Sequence, residues 1–287
     1  MVVSTLRILP PRSSEIMHTF RSATPHHQWG KHATVLGAGI SREAAAPAPF
    51  EDWRAVWISD PPLGLAPPIG ESLDNGDVVI CVPNVMTKAE LQVLIGAGTA
   101  ESGLQHAKII ARGLPVSVLR GKTQLPMDNL PVEVNTVCKA VLQRTMALVD
   151  EMFPSVVRTR FHSARRQLSI SQLYSMGELE FAHREPAINV YSSKGEFSPH
   201  KDNQGLTILF PLSNAGTDYE GGGTGFWTQD TKSKPTKPPN VVLKPIPGTA
   251  LLFAGHVTHA GLPVETGLRM VFVASFSDPQ KVKDEAA

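Results

Sequence analysis

The sequence predicts an α+β fold that is mainly β: a double-stranded β-helix (jelly roll) with helices that buttress one of its sheets. Two observations support this prediction. Helical patterns occupy the chain from about residue 87 to residue 153, and short apolar segments separated by glycine and proline dominate after residue 186. A run of closely spaced short strands is typical of a sandwich or a barrel.

The first half of this domain shows one strand and two helices. The apolar run from Val78 to Val82 predicts a buried strand. Thr87 followed by Glu90 forms a capping box, which indicates the start of a helix. A longer helix is expected from Pro131 to Phe153, because proline suits a first turn, apolar residues recur at helical spacing, and Pro154 ends the pattern.

Four apolar segments in the second half predict strands. They are residues 206–212, 219–227, 247–253 and 269–276. The second and third include a glycine turn, which allows the chain to reverse between neighbouring strands. The last segment opens with Arg269 and then alternates in bulk, as expected of a strand that packs on both faces.

The sequence divides into four parts. Residues 1–40 hold four arginines and lysines against one acidic residue, so they predict a disordered leader or an organellar transit peptide. Residues 41–77 are rich in proline and alanine and are expected to pack two tryptophans irregularly onto the domain. The jelly-roll domain itself should span residues 78–278, with a tail at 279–287.

Composition excludes several classes of partner. The formal net charge is +1 and 18% of the residues are charged, so we expect neither a nucleic-acid partner nor binding to a membrane surface. No apolar run approaches the ~18 residues of a membrane span. Cys81 and Cys138 lie in apolar settings and are interpreted as small core residues of a reducing compartment. The expected location is the cytoplasm, or an organelle if the leader is a transit peptide.

Two histidines and one aspartate have the spacing of a metal site. His200 and Asp202 are two residues apart, and His259 follows far downstream. Residues i and i+2 of a strand share a side, so both could reach one ion. Two imidazoles and one carboxylate bind one face of a non-haem Fe(II) and leave the other face open for a co-substrate and O₂. His200, Asp202 and His259 are therefore the candidate metal ligands and catalytic residues.

Each part of this assignment has an alternative. His183 with Glu185 is also a permitted pair, although its carboxylate precedes a proline at the start of a strand. The distal ligand could be His256 instead of His259. Three residues apart on a strand, these two should point to opposite faces, so at most one is expected to bind.

The ordered motifs resemble a known family. The elements that carry the resemblance are Tyr191 nine positions before His200, Gly222-Gly223-Thr224, His259-Ala-Gly261-Leu-Pro263-Val264, and Arg269 ten positions after His259. Over roughly residues 78–277, the chain resembles the 2-oxoglutarate/Fe(II)-dependent dioxygenases, specifically their prolyl 4-hydroxylase-like branch. The resemblance implies the same jelly-roll fold.

The resemblance also implies cofactors and a reaction. Fe(II) would be the metal, 2-oxoglutarate and O₂ the co-substrates, and ascorbate a candidate reductant. The far carboxylate of 2-oxoglutarate needs a buried cation, which Arg269 would supply with help from the phenol of Tyr191. Related halogenases lack the carboxylate ligand, so Asp202 favours hydroxylation. We therefore expect hydroxylation of an unactivated C–H bond, with release of succinate and CO₂.

The substrate is left open between a small molecule and a peptide. Arg184, Asn203, Trp227 and Gln229 could line the mouth of the site. One alternative function is a cupin-like metal-binding module without turnover. Another is a protein-modifying prolyl hydroxylase that shares all of the chemistry and differs only at the mouth.

Overall fold

The computed structural model describes residues 34–36, 52–59, 68–111, 121–161, 168–227, 235 and 237–278. Most of the leader, the tail and Gln229 lie outside these residues. The helices are α1 (Ile69–Asn75), α2 (Lys88–Ala111), α3 (Val132–Met152), α4 (Pro154–Arg160) and α5 (Ile170–Ser175), with a 3₁₀ turn at Met127–Asn129. None of the helices in this part of the chain combines the length and hydropathy needed to span a bilayer.

The first strands are β1 (Thr34–Leu36), β2 (Arg54–Trp57), β3 (Val78–Val82), β4 (Lys122–Pro126), β5 (Glu180–Phe181), β6 (Ala187–Tyr191), β7 (Phe197–His200) and β8 (Leu206–Pro211). The later strands are β9 (Tyr219–Gly221), β10 (Thr224–Phe226), β11 (Val241–Leu243), β12 (Ala250–Ala254), β13 (His259–Gly261), β14 (Val264–Gly267) and β15 (Arg269–Ser277).

The strands form a large sheet, a small sheet and a separate pair. The large sheet has the order β1-β2-β3-β12-β8-β15-β6-β4, with β5 paired to β15. The small sheet has the order β11-β10-β13-β7, and β14 pairs with β9. Neighbouring strands run antiparallel throughout the described residues.

Alternating residues of the large sheet enter two different hydrophobic clusters. Ile208, Leu252 and Phe272 belong to a cluster with residues of the helices. Their neighbours Leu251 and Val271 belong to a second cluster with residues of the small sheet. The central strands are thus covered on both faces, which explains their continuous apolar sequences. This arrangement confirms the predicted α+β, mainly β jelly roll with buttressing helices.

The local signals for helices also agree with the structure. Thr87 and Glu90 bond reciprocally: Thr87 N donates to Glu90 Oε2 at 2.8 Å, and Glu90 N donates to Thr87 Oγ1 at 3.2 Å. Helix α3 begins directly after Pro131 and ends before Phe153. Both helices therefore begin where their sequences predict.

The segment at 41–77 is more regular than expected where the structure describes it. Strand β2 pairs with β3 in the large sheet, and α1 follows before β3 begins. The strand is only four residues long and lies among prolines, so its pattern is too short to detect by alternation. The expected packing of indoles is present, since Trp53 meets the ring of Phe153 edge-on at 5.2 Å.

Candidate active site

The two histidines of the candidate triad are brought together by the small sheet. Strand β13 pairs with β7 so that His259 lies directly opposite His200, with ring centroids 4.3 Å apart. Nε2 of His200 is 3.3 Å from Oδ1 of Asp202, and Nε2 of His259 is 3.5 Å from Oδ2. The ligand atoms of His200, Asp202 and His259 all lie within 4.8 Å of one another, and within the described residues these three form the group that could hold a metal ion.

Backbone carbonyls fix the orientation of both imidazoles. Nδ1 of His200 lies 2.9 Å from the carbonyl oxygen of Ser198, and Nδ1 of His259 lies 3.0 Å from that of Val257. A carbonyl only accepts, so each Nδ1 carries a proton and each Nε2 is the nitrogen that can bind a metal. Both Nε2 atoms face Asp202, which is the arrangement that a shared metal ion requires.

Asp202 is held by a loop rather than by the strand that the sequence suggested. Strand β7 ends at His200, and the backbone N–H of Asp202 donates to the carbonyl of Gly255 at 2.9 Å. The spacing of two residues correctly predicted that His200 and Asp202 lie together, but the two residues do not share one face of a strand as expected. The close approach of His200 and Asp202 depends on the turn before β13, which a local pattern does not reveal.

The protonation states also suit a metal. Burial pushes the pKa of Asp202 upward, but His259, His200 and the hydroxyl of Thr207 outweigh it and bring the pKa well below its usual range. For His259, burial lowers the pKa, as does His200, while Asp202 opposes them. The site accordingly presents an ionised carboxylate and a neutral imidazole at neutral pH, the forms in which both residues bind metals.

His256 lies outside this group. It belongs to the turn before β13, and its Nδ1 is 3.3 Å from Nη2 of Arg160. Burial lowers the pKa of His256, and the charge of Arg160 lowers it further. The structure thus brings His259, and not His256, to Asp202.

The alternative pair is separated, but one of its members lies at the site. His183 is exposed, whereas Glu185 lines the same cavity as the triad. Oε2 of Glu185 accepts a hydrogen bond from the backbone N–H of Ser275 at 2.7 Å. Burial raises the pKa of Glu185, and the charge of Asp202 adds to the increase.

Arg269 closes the other end of the cavity. It is only 4% exposed, and its Nη2 donates to Oγ1 of Thr224 at 2.8 Å. Its guanidinium lies 5.1 Å from the ring of Tyr191, the residue opposite it in the pairing of β15 with β6. Tyr191 and Tyr219 both contact this guanidinium through their hydroxyls. Among the described residues, no carboxylate lies within ion-pair distance of Arg269.

The phenols around Arg269 are protonated donors. Burial raises the pKa of Tyr191 and of Tyr219, and the charge of Arg269 offsets this only in part. A Cβ at position 261 would lie 3.3 Å from both Nη1 of Arg269 and the hydroxyl of Tyr191. Glycine at this position therefore leaves both groups access to the cavity, where together they could bind an anion.

The cavity between the two ends has mainly apolar walls. Its buried lining includes Leu209, Val271 and Val273, together with Asn189. Oδ1 of Asn189 has no hydrogen-bond partner in the described part of the chain. Phe197 is the exposed residue of this lining, and its ring contacts that of His200, so the cavity opens beside the triad; Glu185, His200, Asp202 and Gly261 are partly exposed, whereas Arg269 is buried.

Three of the four residues suggested for the mouth, Arg184, Asn203 and Trp227, are not part of the cavity lining. Trp227 is buried and donates from Nε1 to the carbonyl of Lys237 at 2.8 Å. Arg184 and Asn203 both adopt positive φ values, 65° and 58°, in turns, and neither is part of the cavity lining. Gln229 lies outside the described residues. Polar residues in loops are common, and sequence alone gives no direction to their side chains.

A comparison with family models gives an independent result. Residues 186–276 match the model of the 2OG-Fe(II) oxygenase superfamily. The matched segment contains the converging triad and Arg269. This segment, about a third of the chain, is therefore similar to the 2OG-Fe(II) oxygenase superfamily, and it carries a ligand set that suits Fe(II).

The chain spans about a tenth of the length of the curated relatives that it matches. An 83-residue segment is 40% identical to the multifunctional procollagen lysine hydroxylase and glycosyltransferase LH3 of Rattus norvegicus, covering 28% of this chain and 10% of that protein. Among solved structures, the viral collagen prolyl hydroxylase of Paramecium Bursaria Chlorella virus-1 has 16% identity and a TM-score of 0.41, covering 69% of this chain and 94% of the viral one. A prolyl hydroxylase from Trichoplax adhaerens has 16% identity and a TM-score of 0.45, covering 76% and 91% of the respective chains.

Proposed function

We propose that the protein binds Fe(II) through His200, Asp202 and His259, binds 2-oxoglutarate through Arg269, and hydroxylates an unactivated C–H bond. The donor set fits the metal, because two neutral imidazoles and one carboxylate on one face of an ion are the ligands of non-haem Fe(II) oxygenases. The overall reaction consumes substrate R–H, 2-oxoglutarate and O₂ and releases R–OH, succinate and CO₂. The bound iron and its co-substrate supply the oxidising power that side chains lack.

The observation that carries this proposal is the setting of Arg269. A buried cation without a carboxylate partner is costly unless a ligand supplies the opposite charge. This cation lines the same cavity as the triad, at the end away from the mouth. A dicarboxylate that chelates the iron at one end would therefore place its other carboxylate against Arg269, where a guanidinium offers two parallel hydrogen bonds.

The remaining residues of the chain have supporting roles. The phenol of Tyr191 and the hydroxyl of Thr224 adjoin Arg269 and can orient the carboxylate or the guanidinium. The amide of Asn189 lines the cavity between this end and the triad, with one polar atom free to meet a ligand. The apolar walls exclude water from the reacting atoms, which strengthens each of these polar contacts.

Asp202 favours hydroxylation over halogenation. Its carboxylate is ionised and aimed between the two Nε2 atoms, so it would fill the coordination position that a halide would otherwise take. The alternative of a cupin-like module without turnover leaves Arg269 without a purpose, since a metal store does not need a buried cation at the far end of the cavity.

The decisive experiment is to supply the purified protein with Fe(II), ascorbate and 2-oxoglutarate in air. Succinate should form slowly even without a substrate, and His259→Ala should abolish it. A protein that binds iron but releases no succinate would instead be a binding module. Screening peptides and metabolites for a product heavier by one oxygen would then distinguish a protein substrate from a small molecule.

A further inference from the structure

The mouth of the cavity has a composition that the proposed cofactors do not explain. Phe197 is 39% exposed and its ring lies 4.0 Å from that of His200, while Glu185 is half-buried on the same rim. The deeper walls, by contrast, are almost completely buried. A substrate that enters the cavity beside the triad would therefore meet Phe197 and Glu185.

Charge balance leaves Glu185 without a cation at ion-pair distance among the described residues. With Fe(II), 2-oxoglutarate and Arg269 in place, three positive charges inside the cavity face three negative ones, counting Asp202 once and 2-oxoglutarate twice. Glu185 is then a further carboxylate on the cavity wall. In the described part of the chain no lysine or arginine nitrogen lies within ion-pair distance of it.

The cation that attracts Glu185 is Lys122, which contacts the ring of Phe197. Nζ of Lys122 lies 3.4 Å from the centroid of the Phe197 ring, on the rim of the site, and Lys122 is not part of the cavity lining. Its charge and that of Glu185 attract each other across the mouth without direct contact. Lys122 therefore attracts Glu185 through its charge but does not form an ion pair with it.

The carboxylate of Glu185 is held in place. Its Oε2 accepts from the N–H of Ser275, and the hydroxyl of Ser275 is 3.2 Å from that of Thr207, which contacts Asp202. One chain of hydrogen bonds thus connects Glu185 to the carboxylate of the triad. A carboxylate fixed in this way loses little freedom when it binds a partner, which favours tight and directional recognition.

We propose that Glu185 is a specificity-determining residue that binds a cationic nitrogen of the substrate, most simply an alkyl ammonium, as its aliphatic chain passes Phe197 and Val273. This inference rests on the proposed function, because it takes the iron side of the cavity as the site of reaction. A fixed carboxylate on the wall of a largely apolar cavity binds an ammonium strongly, since neither charge is well solvated there.

The test is binding of small lysine analogues to the enzyme loaded with Fe(II) and 2-oxoglutarate without oxygen, measured by calorimetry. Nα-acetyl-lysine amide is the probe, and Nα-acetyl-norleucine amide is its match without the ammonium. The wild type should bind the lysine compound at least about tenfold more tightly, as expected for a charged contact. Equal affinities, no binding of either, or tighter binding of Nα-acetyl-proline amide would overturn the proposal.

Variants identify the residue responsible. Glu185→Gln keeps an oxygen for the N–H of Ser275 but removes the charge, so the preference for the lysine compound should disappear while affinity for 2-oxoglutarate stays unchanged. Glu180→Gln, an exposed change nearby, should retain the preference. A preference that survives in Glu185→Gln contradicts the assignment.

A second variant tests the role of the Glu185 charge by removing the positive charge of Lys122. Lys122→Met removes the neighbouring cation and should increase affinity for the lysine compound, without changing that for the norleucine compound. Weaker binding of the lysine compound would overturn the charge-based explanation. Formation of succinate without substrate is measured on the same preparations, so loss of the basic oxygenase activity is distinguished from loss of substrate binding.

Discussion

The hydroxyl of Thr207 lies 2.5 Å from Oδ2 of Asp202. Thr207 is fully buried in strand β8, and its oxygen is also 3.2 Å from the hydroxyl of Ser275 on the neighbouring strand β15. A threonine hydroxyl has one proton, which the carboxylate attracts most strongly, so Thr207 donates to Asp202. The large sheet thereby fixes a ligand that belongs to a loop.

Removal of this hydroxyl should weaken the metal site. Thr207→Val keeps the shape of the side chain but leaves Oδ2 of Asp202 without its donor, so we expect Fe(II) affinity to fall by roughly tenfold or more, as for other residues that support metal ligands. Anaerobic titration with Fe(II) measures this effect. Thr207→Ser, which retains the hydroxyl, is the control, and unchanged affinity in Thr207→Val would mean that Asp202 is oriented by its backbone alone.

The contrast between Asp202 and Thr207 shows how far the sequence can predict this site. The His-x-Asp motif and the distal His259 are visible because their spacing is characteristic, and the apolar runs of β8 and β15 indicate buried strands. Thr207 and Ser275 belong to strands that are adjacent in space but 68 residues apart in the chain. Their contact depends on strand register, as does the position of Tyr219 near Arg269, and a single sequence does not define register.

The histidine assignment makes a simple contrast. His200→Ala and His259→Ala should each abolish tight Fe(II) binding, because two protein ligands make too weak a chelate. The Fe(II) affinity of His256→Ala should stay within about threefold of the wild type. His256 contacts Arg160 instead of the metal site, and substitutions away from a site usually have small effects. Anaerobic calorimetry compares all three, and the reverse order of effects would transfer the ligand role to His256.

Asp202→Gly tests the choice of reaction. The variant loses the charged ligand, so hydroxylation should be abolished and Fe(II) affinity reduced, while 2-oxoglutarate should still be recognised by Arg269. Product analysis by mass spectrometry and metal titration measure the two effects. Full hydroxylase activity would show that another carboxylate coordinates the iron, and Glu185 would be the residue to examine because it lines the same cavity.

The two cysteines should be chemically inert in the folded protein. Burial raises the pKa of Cys81 and of Cys138 to about 12, so both thiols stay protonated throughout the neutral and mildly alkaline range. The thiolate is the reactive form. Neither should react with iodoacetamide at pH 8 in the native state, and both should react in denaturant. Rapid labelling of the native protein at either position would contradict the buried setting.

Arg269 gives the prediction in which charge has the largest effect. Arg269→Ala removes the buried cation at the far end of the cavity, and loss of one member of a buried charged pair costs about 2–5 kcal/mol, so the KM for 2-oxoglutarate should rise by more than roughly thirtyfold. Fe(II) binding should change little, because the triad is held by other strands. Arg269→Lys should restore part of the affinity, since an ammonium keeps the charge but loses the planar pair of donors.

Arg158→Ala removes an exposed arginine of α4 and serves as the control. A normal KM for 2-oxoglutarate in Arg269→Ala would mean that Arg269 does not bind the far carboxylate of this co-substrate, and the proposed binding mode would be wrong.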